Sequence, residues 1–118
     1  MAGADFTLDG GSLHRLGFAG APDDSEEKVF NDIVTQGFFL NNQKLVEQYV
    51  RGAPARLKEL LEWGIKIVLS EERAVFTSGI ALMNVLLKRA RKVGVGLLED
   101  VMLMDLVVER GMVTGALA

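Results

Sequence analysis

Cysteine is absent from this chain of 118 residues, and histidine, tryptophan and tyrosine each occur only once. Without cysteine the chain can form no disulfide, no thiolate metal site and no thiol nucleophile, which fits an intracellular protein. The single imidazole, His14, cannot supply the two histidines of a metal centre. We therefore predict no metal ligands and expect His14 to be an ordinary loop residue.

Positive charge is also scarce in this sequence. Lysine and arginine number 13 against 16 aspartates and glutamates, so the formal net charge is −3. A chain of this charge does not attract polyanions, and nucleic acid is not an expected partner. No basic stretch precedes an apolar one at the N-terminus, and no segment approaches the roughly 20 apolar residues that span a bilayer. The sequence thus predicts a cytoplasmic protein without a membrane span.

The apolar residues, 49% of the composition, suffice for one small core. The first of four helical segments begins with Asp23-Asp24-Ser25-Glu26-Glu27, whose capping side chains and acids suit a helix start. In the other three, apolar residues recur along one face, the pattern of helices with one buried face. Ser78 or Thr77 can cap the last of them. The second and third segments are separated by a glycine and by Pro54, which suits the first turn of a new helix. Helices are therefore predicted near residues 24–36, 42–51, 54–63 and 78–93.

Strands are predicted by short runs that are rich in β-branched residues. Residues 65–69 form one such run. Two further apolar runs, 101–108 and 112–117, flank Arg110-Gly111, and this arrangement predicts a β-hairpin. Because residues 101–108 are apolar on both alternating faces, we expect this strand to be covered on both sides.

These elements place residues 1–118 in a single domain of the α/β class, with α+β as the alternative. Helices are expected to precede a small sheet that ends in a C-terminal β-hairpin, all packed as one pair of layers. A chain this short has little to cover a strand that is apolar on both faces, so we expect a homo-oligomer or another partner chain. The alternative is a monomer in which helix 78–93 covers one face and residues 42–63 the other.

Glycine is concentrated near the N-terminus, where residues 1–22 hold five of the 13 glycines. Such density predicts a Gly-rich loop whose backbone turns tightly or approaches another group closely. Its backbone N–H groups and one hydroxyl could bind an anion or a flat polar ring, although a flexible loop without a ligand is the alternative. The candidate binding residues are Gly10, Gly11, Ser12, Gly17 and Gly20.

Several segments of the chain follow one another in the order found in a known family. They are Gly10-Gly11-Ser12 with Gly17 and Gly20, then Ala21-Pro22-Asp23-Asp24-Ser25, residues 53–65, residues 78–83, residues 97–101 and residues 111–116. In this succession the chain resembles an internal segment of the FAD-binding domain of the fumarate reductase, succinate dehydrogenase and L-aspartate oxidase flavoproteins. No single motif is diagnostic, and the resemblance rests on the order.

The resemblance implies a partial FAD-binding domain with FAD as its cofactor. The glycine-rich residues would line the flavin, and the backbone of Val101 would lie beside the adenine. The family's Gly-x-Gly-x-x-Gly fingerprint, which seats the pyrophosphate on a helix N-terminus, has no counterpart in this chain. The family's substrate-contacting histidine would fall near Val75, which cannot donate a hydrogen bond, and Arg73 is the only nearby cation. No catalytic residue is therefore predicted.

Two functions from different classes follow from these features. The chain is either a fragment or diverged remnant of an FAD-dependent oxidoreductase that is not catalytically competent alone, or a non-enzymatic scaffold domain that self-associates. In the first case the missing remainder of a flavoprotein would be its partner. In the second, another copy or another chain would cover the exposed sheet edge.

Overall fold

The computed structural model describes residues 3–118, which form four helices and five strands. This mixed content confirms the predicted α/β class. In chain order the elements are β1 (Gly3–Thr7), α1 (Gly10–Arg15), α2 (Glu26–Gln36), α3 (Gln43–Glu62), β2 (Leu69–Ser70), β3 (Ala74–Ser78), α4 (Gly79–Lys92), β4 (Asp105–Glu109) and β5 (Met112–Leu117).

A three-stranded antiparallel sheet forms the centre of the fold, with β3 between β1 and β2. On β3 the alternate residues Val75 and Thr77 are buried, as expected for a strand with one face toward a core. Val75 belongs to a buried apolar cluster with Leu8, Leu13 and Leu57. The cluster joins the sheet to α1 and α3, so the core lies in the N-terminal two-thirds of the chain.

The second helix agrees with its predicted span. Ser25 is its N-cap and accepts the backbone N–H of Lys28, and Glu26 and Glu27 occupy the first turn, where the helix dipole favours acids. The predicted helix 78–93 is likewise confirmed as α4, and its N-cap Ser78 accepts the N–H of Ala81.

The two helices predicted at residues 42–51 and 54–63 are wrong as separate elements, because α3 runs unbroken through Pro54. Proline in a helix interior removes a hydrogen bond and is normally unfavourable. Val50 and Leu57 lie two turns apart on one face of α3, and both are buried. Packing on either side of Pro54 therefore keeps the two halves on one helix.

The Gly-rich loop predicted for residues 1–22 is wrong for residues 3–15, and residues 1 and 2 lie outside the described part. Residues 3–7 form β1, whose backbone pairs with β3 from Gly3↔Ser78 to Thr7↔Ala74. Asp9 then caps α1 by accepting the N–H of Ser12 at 2.7 Å. The pairing partner is distant in sequence, and local glycine content did not indicate it. His14 is correspondingly an exposed residue of α1, not of a loop.

The strand predicted at residues 65–69 is wrong except at its last residue, because β2 consists of Leu69–Ser70 alone. Val68 still donates its N–H to the carbonyl of Phe76 at 2.8 Å. The chain of β3 turns into α4 at Gly79, so residues before Val68 have little partner strand left. Ile65 is nevertheless buried and contributes to the core.

The C-terminal hairpin is confirmed and turns at Arg110 and Gly111, both of which have positive φ. Its first strand is β4, shorter than the predicted 101–108. The chain itself does not supply the expected cover on both faces, since every residue from 91 to 118 is exposed. The expected single pair of layers and the self-covered monomer are wrong for the same reason: β4 and β5 form a sheet of their own, separate from β1–β3.

Close backbone contact explains two of the N-terminal glycines. A Cβ on Gly20 would lie 2.3 Å from the carbonyl oxygen of Gly10 and 2.9 Å from the Cβ of Leu13. A Cβ on Gly10 would lie 2.7 Å from the backbone nitrogen of Ala21. These distances are too short for any side chain. The backbone at residues 20–21 can therefore pack against the first residue of α1 only because both Gly10 and Gly20 lack a Cβ.

We expect Gly20→Ala to lower the free energy of unfolding by about 1–3 kcal/mol, because the added methyl group overlaps rigid backbone. Gly52→Ala is the matched control. Its new Cβ meets nothing within 4 Å inside α3, so it should raise stability by about 0.5–1 kcal/mol. Urea unfolding followed by circular dichroism measures both, and equal stability of Gly20→Ala and the unaltered protein would contradict the close contact.

Candidate functional site

An ion pair between Asp24 and Arg73 lies at the centre of the best-defined polar site. The Nε and Nη2 atoms of Arg73 donate to the two carboxylate oxygens of Asp24 at 2.7 and 2.6 Å. The third nitrogen, Nη1, donates to Asp32 at 2.6 Å. Asp24 also accepts the backbone N–H of Gly10 at 2.8 Å, and its side chain is only 6% exposed. This two-pronged geometry is the strongest form of an arginine–carboxylate contact.

These contacts hold both partners in their charged forms. The hydrogen bond from Arg73 lowers the pKa of Asp24 from 3.8 to about 2; burial opposes this shift, and backbone hydrogen bonds from Gly10 and Ser25 reinforce it. The pKa of Arg73 is raised by its hydrogen bonds to Asp24 and, secondarily, to Asp32. The guanidinium is therefore committed to two carboxylates of this chain.

A third carboxylate, Asp9, lies at the N-terminus of α1. It is 2% exposed, and one of its oxygens, Oδ1, accepts the N–H of Ser12. The other oxygen, Oδ2, is buried and has no hydrogen-bond partner among the described residues. Buried polar atoms are rarely left in this state, so Asp9 requires an explanation beyond helix capping.

A cavity of about 690 Å³ opens beside Asp9, where α1 faces the first turn of α2 and the middle of α3. Its charged walls hold five carboxylates and two guanidinium groups, and its apolar walls are aromatic and aliphatic. The lining residues are Asp9, Arg15, Asp24, Ser25, Glu26, Glu27, Phe30, Glu47, Val50 and Arg51.

The structure brings four of the six predicted cofactor-binding residues together. The first turn of α1 contains Gly10, Gly11 and Ser12, and Gly20 packs against Gly10. Gly17 follows the end of α1 with a φ of +87° and open space around it. The sixth residue, Val101, is 50% exposed and lies in the segment between α4 and β4, outside this group.

The first turn of α1 does not fit the flavin role that the resemblance assigned to it. The N–H of Gly10 is donated to Asp24 and that of Ser12 to Asp9, so these donors are engaged within the chain. Both acceptors are carboxylates, which repel phosphate groups. A Cβ on Gly11 would lie 2.5 Å from the carbonyl oxygen of Asp24, so packing accounts for the absence of a side chain there.

The position expected for a substrate-contacting histidine is part of the core. Val75 is 0% exposed within β3. The nearby cation, Arg73, is engaged by Asp24 and Asp32. Neither Asp9 nor the Asp24–Arg73 pair was predicted from the sequence. An aspartate three residues before Ser12, at the start of a helix, is a recognisable N-cap signal, whereas no local signal indicated an ion pair between residues 49 positions apart.

Within residues 3–118, no group of three or more histidine, aspartate or glutamate side chains is placed to hold a metal ion. No helix in the described chain is long and apolar enough to cross a membrane. Comparisons with protein-family models, curated proteins and solved structures found no match. Any function therefore has to be argued from the geometry, and the flavoprotein resemblance stays a prediction.

We expect the Asp24 carboxylate to make folding sensitive to acid between about pH 4 and about pH 2. Its pKa is about 2 in the folded chain against an ordinary value of 3.8. The stabilisation is therefore complete above the ordinary value and is lost as the pH falls through the folded value. The shift corresponds to about 2 kcal/mol, measurable by urea unfolding at about pH 5 and about pH 2.

The matched variants for this test are Asp24→Asn and Asp23→Asn. The amide at position 24 cannot titrate, so Asp24→Asn should lose this part of the pH dependence. Asp23 has a side chain that is 88% exposed, so its replacement should leave the dependence unchanged. An equal pH dependence in Asp24→Asn and the unaltered protein would show that Asp24 is not its source.

Proposed function

We propose that this chain is a diverged part of the FAD-binding domain of an FAD-dependent oxidoreductase of the succinate/fumarate or L-aspartate oxidase type. It is not catalytically competent alone and works in association with further polypeptide. The observation that carries this proposal is an apolar surface on α4 and the C-terminal hairpin that no described residue covers. We call it the C-terminal apolar surface; it comprises the exposed apolar residues of 80–117.

The helical half of this surface is a stripe along α4. Ile80, Met83 and Leu86 recur every three residues and are 62%, 56% and 39% exposed. No residue of Gly79–Lys92 is buried. A soluble helix with an apolar stripe normally buries it. Another side of α4 contacts the rest of the chain: the guanidinium of Arg89 lies 5.0 Å from the ring centre of Trp63. The helix is therefore held against α3 and its C-cap while its apolar stripe remains exposed to solvent.

The sheet half is the hairpin itself. Leu106, Val107 and Val108 on β4 and Val113 on β5 are each about half exposed or more. A two-stranded hairpin is marginally stable in water without a further strand or a packed helix. Both its apolar faces and its outer edges therefore favour a partner. In the flavoproteins that the chain resembles, the missing sheet segments and glycine-rich units would lie against this region.

A self-associating scaffold domain is the second candidate function. The hairpin favours it because β4 and β5 pair only with each other in the described chain, which leaves an outer edge on each strand. A second copy could add to such an edge about a two-fold axis, the commonest arrangement of homo-oligomers. The poor fit of the α1 turn to FAD also favours a protein without flavin.

We expect the isolated chain to bind FAD weakly or not at all. The first turn of α1 offers phosphate neither the amide of Gly10 nor that of Ser12, and the dinucleotide fingerprint has no counterpart. Purified protein mixed with excess FAD and passed through gel filtration should elute without visible flavin absorbance. A yellow protein with stoichiometric flavin would contradict the expectation and would place a complete flavin site in this chain.

Light scattering across a dilution series separates the two candidate functions. Self-association predicts a mass that rises with concentration, and Val107→Lys should then raise the dissociation constant at least about tenfold, because it adds a charge to an apolar contact. Thr35→Lys, an exposed position on α2, is the matched control and should change nothing. A mass of one subunit at every concentration would eliminate self-association and leave a different polypeptide as the partner.

A further inference from the structure

We propose that the connection between α2 and α3 inserts three apolar side chains, those of Phe38, Phe39 and Leu40, into the surface of a lipid bilayer. We call these residues the apolar tip. They follow one another in the chain and are 82%, 68% and 89% exposed. The proposal goes beyond the flavoprotein assignment, because the apolar tip is separate in the chain from the C-terminal apolar surface, which begins at residue 80.

The backbone of the apolar tip has a conformation that bulky residues rarely adopt. Phe38 and Phe39 have φ angles of 51° and 59°. This left-handed conformation is unfavourable for a residue with a Cβ, and glycine or asparagine normally occupies it. Strain of this kind is concentrated at functional segments of proteins. Two exposed phenylalanine rings in strained positions therefore require a role that glycine could not fill.

Hydrogen bonds fix the shape of the apolar tip and occupy its amides. The N–H of Phe38 is donated to the carbonyl of Thr35 at 2.9 Å, and that of Phe39 to the carbonyl of Val34 at 3.0 Å. The N–H of Leu40 is likewise donated to a backbone carbonyl, at 2.9 Å. Polar backbone groups that enter lipid must be satisfied within the protein, because an unpaired amide is costly there. The three amides of the apolar tip meet this requirement.

The charges beside the apolar tip also suit a bilayer surface. Although the whole chain has a net charge of −3, residues 33–46 contain one lysine and no carboxylate. The nearest acids on either side are both in ion pairs, Asp32 with Arg73 at 2.6 Å and Glu47 with Arg51 at 2.7 Å. The segments that flank the apolar tip therefore bring no unpaired carboxylate toward lipid headgroups.

The size of the apolar tip favours lipid over a protein partner. Three large apolar side chains offer about 500 Å² of surface, whereas a stable protein interface buries about 800 Å² on each partner. The next two residues are polar and engaged in the fold: Asn41 donates its Nδ2 to the carbonyl of Ile33 at 3.0 Å, and Asn42 is the N-cap of α3. The apolar area thus ends at Leu40, and insertion into a bilayer requires no matching pocket.

Flotation with vesicles of phosphatidylcholine tests this proposal. We expect an association constant of about 10⁴ M⁻¹, the strength of a single acyl anchor. Binding should not weaken between about 0.1 M and about 1 M salt, because apolar contact holds the protein on these uncharged vesicles. Replacing both rings, Phe38→Asn with Phe39→Asn, should lower the constant at least about tenfold. Asparagine tolerates left-handed backbone, so the fold is expected to persist, which circular dichroism checks.

The matched control is Leu98→Ser, because Leu98 is 84% exposed and belongs to the C-terminal apolar surface. This variant should float like the unaltered protein. A loss of binding in Leu98→Ser that equals the loss in the double asparagine variant would place the lipid contact outside the apolar tip and overturn the proposal.

The variant Phe39→Trp supplies a second readout. The natural tryptophan, Trp63, lies at the other end of α3, about 30 Å along the helix. On vesicles that contain brominated lipid, Phe39→Trp should show quenched emission, and the unaltered protein should not. Bound Phe39→Trp without quenching, or equal flotation of the folded double asparagine variant, would overturn the proposal. Absence of flotation would also overturn it and would leave a protein as the occupant.

Discussion

The contact between Arg73 and Asp24 is the interaction on which the N-terminal arrangement depends. Through its side chain Arg73 holds the segment before α2, and through its backbone carbonyl it accepts the N–H of Leu8 at 3.0 Å. Asp24 in turn binds the amide of Gly10 at the start of α1. One residue in the β2–β3 turn thus joins β1, α1 and α2. Replacing Arg73 would leave the carboxylate of Asp24 buried without its cation, and replacing Asp24 would leave Arg73 without its main contact. The loss of one partner of such a buried ion pair strongly destabilises a protein.

Capping residues and turn residues in the sequence were sufficient to predict the starts of two helices and the hairpin turn. Ser25 before two glutamates indicated the start of α2, Ser78 indicated that of α4, and Arg110-Gly111 indicated the hairpin turn. Pairing over long sequence distances was not predictable in the same way. β1 and β3 come together across about 70 residues, and neither the glycine-rich start of the chain nor residues 74–78 carry a pattern that names the partner.

The same distinction holds for the candidate site. Glycine density correctly indicated a close approach around Gly10 and Gly20, but the groups approached are each other, Asp24 and neighbouring backbone. Val101 could be assigned to the adenine of the cofactor only through the family resemblance. The chemically notable oxygen, Oδ2 of Asp9, is defined by burial and by the lack of a donor. Those properties arise from tertiary packing and are not encoded in the spacing of residue types.

The chain consists of a packed unit around β1–β3 and a C-terminal region whose apolar surface is uncovered within residues 3–118. Amide hydrogen exchange on the monomeric chain tests this division most directly. Amides of β3 should be strongly protected, whereas those of β4 and β5 should exchange at least about a hundredfold faster, because within residues 3–118 the two strands pair only with each other and are exposed along their whole length. Hairpin amides protected as strongly as those of β3, in a chain shown to be monomeric, would contradict the account.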